Sequence, residues 1–224
     1  MSQINKEYIS FLLELKENNN REWFTENKKR YDKYAKSMKQ FFTEVGEDLG
    51  KIDHIEHMQI FRIYRDVRFS KNKLPYKVNF SVAYRRTKPL LRGGYYLHIE
   101  NDKSFVGGGF WEPNAEDLLR IRKELELDAS ELREITSDST FKTYFGSLEG
   151  EELKTAPRDF DKNHPNIDLI RKKQFLVTRT FTNEEVLAPN FKDEVIDTFQ
   201  AMRPFFNYMS DVLTTNLNGE SLYS

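Results

Sequence analysis

The chain has 224 residues, with 35 Lys/Arg against 36 Asp/Glu, a net charge of −1, 38 % hydrophobic residues, 18 Phe, 11 Tyr and no cysteine. That is enough apolar and aromatic material for one sizeable core, and the lack of cysteine excludes disulfides, thiolate catalysis and cysteine-based metal sites. The charge is unevenly spread: Ile60 to Arg92 carries ten Lys/Arg and one acid, Asp66, so this segment is +9 and the remainder about −10, an asymmetry that marks a local anion-binding face.

The opening MSQINKEYISFLLELKE has charges within its apolar stretch and reads as an amphipathic helix rather than a signal peptide. No apolar run approaches the ~20 residues that span a bilayer, so the expectation is a soluble cytoplasmic protein. Helical spacing of Ile4, Tyr8, Phe11, Leu12 and Leu15 places a first helix at about Asn5 to Lys16. Asn18-Asn19-Asn20 ends it and caps a long second helix, Arg21 to Leu49, with Tyr34, Met38, Phe41, Phe42, Val45 and Leu49 as its apolar stripe.

From Met58 the period changes to two. Strands are expected at Met58–Tyr64, Val78–Arg86, Gly94–Glu100 and Ser104–Trp111, the last pair joined by a hairpin at Asn101-Asp102. Helices follow at Ala115–Leu127, Asp128–Ile135 and Ser139–Phe145, with Leu153–Asn163 irregular and a fifth strand at Lys173–Phe181. A final helix runs from Phe191 to Leu217 with a kink or break at Pro204, and disorder is confined to Asn216–Ser224. Short connections imply an antiparallel sheet. No linker composition is present, so residues 1–224 are read as a single α+β domain with a mostly antiparallel sheet of about five strands and helices packed against it.

Several runs resemble the bacterial and fungal family called domain of unknown function 2461: NNNREWF (Asn18–Phe24), IFRIYRDVRFSKNKLPYK (Ile60–Lys77), GYYLHIE (Gly94–Glu100), GGGFWEP (Gly107–Pro113) with LLRIR (Leu118–Arg122), and LKTAP through DKNHP (Leu153–Pro165). The resemblance covers nearly the whole chain and implies a single α+β domain without an assigned activity. The chain departs from the family pattern at Asn72, usually Asp, at Leu74, usually Thr, and at Asp159, usually Gly. If that Asp were a catalytic base, this chain would lack it.

The candidate site centres on the basic loop. Arg62, Arg65 and Arg68 are spaced by three and cannot share one face of a flat strand, so the last two lie on the turn leaving it, where they can converge with Lys71, Lys73 and Lys77. Ser70 and Tyr76 add hydroxyl donors. Gly107, Gly108 and Gly109 leave bare backbone, open either to a ligand or to another segment. His98, on one strand face with Tyr96 and Glu100, looks onto these glycines; His98 or Asp66 would move a proton if the site is catalytic. The chain has no GxxxxGK[ST], GxGxxG or GxSxG pattern and no spacing that completes a histidine metal site, so no metal site is indicated and any cofactor is left open.

Three readings stand side by side. The first is a pocket for a phosphate- or carboxylate-bearing small molecule. The second is a nucleic-acid-binding module, with Phe69, Tyr76, Tyr84 and Tyr95 as stacking groups. In the third, a structural or interaction domain, the arginines are internal ties.

Overall fold

In a computed structural model describing residues 3–223, the first two helices are α1 (Lys6–Glu17) and α2 (Arg21–Leu49). Each starts on an asparagine whose side chain accepts a backbone N–H: Asn5 from Glu7 and Asn20 from Trp23. The strands β1 (Ile55–Ile60), β2 (Phe80–Arg86), β3 (Gly94–Ile99), β4 (Ser104–Phe110) and β5 (Phe175–Phe181) form one antiparallel sheet in the order β1-β2-β3-β4-β5. Between β4 and β5 lie α3 (Ala115–Leu127), α4 (Ser130–Ser137), α5 (Ser139–Phe145) and the single turn α6 (Ile167–Ile170). After β5 come α7 (Asn183–Leu187), α8 (Phe191–Ala201) and α9 (Arg203–Thr214). The fold is α+β, as expected. Among the described residues no helix is long and apolar enough to cross a membrane.

The chain divides into two compact units. One is Met1–Tyr84 with Tyr96–Val106 and Thr180–Asp197; the other is Arg85–Tyr95 with Gly107–Arg179 and Thr198–Ser224. In the first, Phe11, Leu12 and Leu15 of α1 and Phe24, Met38, Phe41, Phe42 and Val45 of α2 are buried, and Arg30 forks onto Glu14 at 2.7 and 3.0 Å to tie the two helices. The Tyr84 hydroxyl donates to Phe42 O at 2.7 Å, so a buried polar tip is satisfied. In the second unit α3 and α4 pack on α9 over Ile121, Leu125, Leu132, Phe205, Phe206 and Met209, all buried.

Three expectations are corrected. β1 ends at Ile60 rather than Tyr64, because the chain then continues as a looser ladder: Phe61 N–H donates to Ser81 O, Lys77 N–H to Ile63 O and Arg65 N–H to Pro75 O, with a bridge between Tyr64 and Tyr76. The last helix is two, α8 and α9, and Pro204 sits in the first turn of α9, where its missing N–H costs nothing. The segment after α9 is hydrogen-bonded, not loose: Leu222 N–H donates to Thr214 O and Asn216 N–H to Glu220 O; Ser224 lies outside the described residues. At Asp159, where the resembled family usually has glycine, φ is +68°, a left-handed conformation that glycine adopts freely.

Asn19, in the turn between α1 and α2, positions the base of the basic loop. Its amide donates to Tyr76 O at 3.0 Å and its oxygen accepts Tyr76 N–H at 3.1 Å, like a neighbouring strand. The Tyr76 ring then stacks on Phe24 at 4.0 Å. Asn19→Ala leaves two partly buried backbone groups unpaired and is expected to cost about 2 kcal/mol. Urea denaturation would show it, with faster amide exchange at Tyr76; an unchanged midpoint and unchanged protection would contradict this role.

Candidate functional site

The structure sorts the basic residues of the loop by what they touch. Arg68 forks onto Asp66, Nε to Oδ1 at 3.0 Å and Nη2 to Oδ2 at 2.7 Å, and this bond holds the Asp66 carboxyl below its usual range. Lys73 Nζ donates to the carbonyls of Val67 and Arg68 at 2.9 and 3.3 Å. Ser70 Oγ accepts Asn72 N–H, and Asn72 Oδ1 accepts Leu74 N–H at 3.0 Å, a turn that Asn and Asp make equally well. Arg68, Ser70, Lys73 and Asp66 therefore shape the loop itself. Tyr76 is buried, and burial raises its hydroxyl pKa.

At the loop base a cleft of about 330 Å³ is lined by four cations, Lys16, Arg65, Lys77 and Lys103. Among the described residues none of these four side chains meets a carboxylate. The amides of Asn19, Asn72 and Asn79 share the lining, and Glu100 is its one acid. Lys77 is half-buried with its ammonium 5.1 Å from the centre of the Phe61 ring. Burial, with the positive charges of Arg62 and Arg65 added, pushes its pKa below the usual lysine value. Arg62 itself is exposed and does not line the cleft.

His98 lies beside this cleft through Glu100. Its Nε2 is 2.9 Å from Glu100 Oε2, its Nδ1 is 3.3 Å from the Tyr96 hydroxyl, and its ring stacks on Phe105 at 4.9 Å. Burial holds the imidazole pKa below 6.5, against the opposing pull of Glu100. The ring is thus neutral at pH 7, donating from Nε2 to the carboxylate and accepting the Tyr96 hydroxyl at Nδ1. Alternation correctly places Tyr96 and His98 on one face of β3, and Glu100, the residue after the strand, continues on that side. Of the two proton-moving candidates, His98 is one residue removed from the cleft, whereas Asp66 does not line it and is paired with Arg68.

The glycines serve packing. In the second unit, a side chain at Gly108 would meet Met202 and Phe206 at 2.7 and 2.8 Å, and one at Gly109 would meet Phe175 O at 2.2 Å. Gly107 is buried. Arg86 and Arg92 belong to the same unit and are internal ties: Arg86 donates to the Phe206 and Arg92 carbonyls, and Arg92 pairs with Asp117. Of the four proposed stacking rings, Tyr76, Tyr84 and Tyr95 are buried and only Phe69 is exposed.

Of the loop residues singled out from the sequence, Arg65, Tyr76 and Lys77 reach the cleft. Lys16, Asn79, Glu100 and Lys103 join them without having been grouped there. Lys16 lies in the last turn of α1 and Lys103 in the β3–β4 turn, positions that local pattern reads as solvated charge.

A family model described as "Conserved hypothetical protein (DUF2461)" matches residues 7–208, and the chain belongs to that family. No curated protein matches it.

Proposed function

We propose that this protein binds a small phosphate- or carboxylate-bearing molecule in the cleft at the base of the basic loop, with Arg65 and Lys77 as the principal contacts and Lys16 and Lys103 completing the positive rim. The observation that carries this reading is four cations around one cleft with no carboxylate partner among the described residues, one of them carrying a depressed pKa. Like charges held together oppose folding, and an anion relieves that repulsion. Perturbed groups of this kind gather at functional sites. Arg65 supplies a planar fork suited to phosphate or carboxylate, and Lys77 a point charge. The cleft suits a metabolite better than an extended strand, because three of the four rings that would stack on bases are buried.

The sign of the Lys77 effect makes a test. Its folded pKa lies below the unfolded value, so the unfolded chain holds the proton more tightly. The resulting penalty is fully present at neutral pH and disappears as pH rises through the unfolded value of about 10.5. Lys77→Met should therefore stabilise the ligand-free protein. Solvent screening limits the gain to about 0.5 kcal/mol, or ~1–2 °C in melting temperature. In a thermal-shift screen of phosphate and carboxylate metabolites, wild type should gain stability with one class and Lys77→Met should lose that gain. A ligand that stabilises both equally would place the site elsewhere.

A further inference from the structure

We propose that the anion held by this cleft also carries a protonated amine, and that Glu100 is the residue that receives it. The inference rests on the anion-binding reading above. Glu100 is the one acidic residue of a lining that otherwise holds four cations and three amides. Coulomb attraction would draw a lone carboxylate onto one of those cations, yet none of them pairs with it.

The carboxylate is held elsewhere. His98 Nε2 binds Oε2 at 2.9 Å, and Tyr96 and Phe105 fix the imidazole in turn, at 3.3 Å to Nδ1 and 4.9 Å between rings. The Glu100 and His98 side chains are only 16 % and 13 % exposed. A neutral imidazole donates one hydrogen bond and leaves the negative charge in place. A carboxylate has about four acceptor positions, and among the described residues this one has a single side-chain donor on it. The cleft is therefore bipolar, with a fixed negative point beside a cationic rim. A purely anionic ligand would desolvate Glu100 and face its charge. A ligand with an ammonium group a few bonds from its phosphate or carboxylate meets both poles, and a preorganised acceptor loses little entropy on binding it.

Isothermal titration at pH 7 with three phosphates of matched size tests this: 2-aminoethyl, 2-hydroxyethyl and propyl phosphate. A second set one carbon longer allows for the span. The amine should bind at least ~10-fold tighter than its alkyl match, one strong charge-assisted contact. Glu100→Gln should erase that preference, weakening the amine while propyl phosphate, no longer facing the carboxylate, binds at least as tightly as to wild type. Equal binding of amine and alkyl forms by wild type overturns the proposal and leaves the anion reading intact. Equal binding of amine and hydroxyl forms overturns the ammonium assignment. No binding by any phosphate or by the corresponding carboxylates overturns both. The comparison of ligands on wild type stands even if Glu100→Gln fails to fold.

Discussion

Gly109→Ala should destabilise the protein by about 4 kcal/mol, lowering the melting temperature by roughly 8–16 °C. Two causes add. Gly109 has φ +131°, where an L side chain is strained. The new Cβ would also lie 2.2 Å from Phe175 O and 3.0 Å from Leu176 Cα. Both neighbours are backbone of β5, so neither can swing aside as a side-chain end would. Gly146→Ala is the control: φ is +68° and ψ −65° there, a strained γ-turn conformation, but nothing lies within 4 Å of the added carbon, so only the backbone strain of about 1–3 kcal/mol remains. If the glycines instead served close approach of a ligand, Gly109→Ala would melt like wild type and lose binding. Thermal denaturation of the two variants separates these accounts.

Arg86→Met should cost about 3 kcal/mol, because it removes every hydrogen bond that one buried guanidinium makes. Arg86 is 1 % exposed. Its Nη1 donates to Arg92 O, Phe206 O and Ser210 Oγ at 3.1–3.2 Å, and Nη2 to Asn207 Oδ1 at 3.1 Å. The guanidinium also sits 5.4 Å from the centre of the Phe206 ring. Methionine keeps much of the apolar stem and removes every donor. The same substitution should leave affinity for the anion unchanged in the folded protein, because Arg86 does not line the cleft. Urea denaturation with wild-type stability would contradict the internal role; lost affinity at full stability would return Arg86 to the binding site.

Local signals in this chain were strong where period and capping agreed. α2 and α3 begin and end where the apolar stripes and the caps Asn20 and Asn114 place them. α5 also matches, and the β3–β4 hairpin follows from alternation around Asn101-Asp102. The single turns α6 and α7, four and five residues long, are too short to show a helical period. Pro204 marked a real break, but not that the chain restarts a helix one residue before it. The site was legible as a charged segment and not as a cleft. Residues of one charge type divide by partners distant in sequence: Arg86 meets Phe206 and Ser210, whereas Lys77 lines a cleft with Lys16 and Lys103. Glycine triplets are equally silent, since what covers Gly108 is Met202 and Phe206, nearly a hundred residues away.

The most direct test of the anion cleft is the titration of Lys77 followed by 13Cε NMR, with the resonance assigned by its loss in Lys77→Met. In the free protein the midpoint should fall below 10.5, through burial and the charges of Arg62 and Arg65. Saturation with a phosphate or carboxylate metabolite should raise it, because a bound anion favours the ammonium form. A midpoint at the ordinary lysine value in the free protein, or one that no anion moves, would contradict the account.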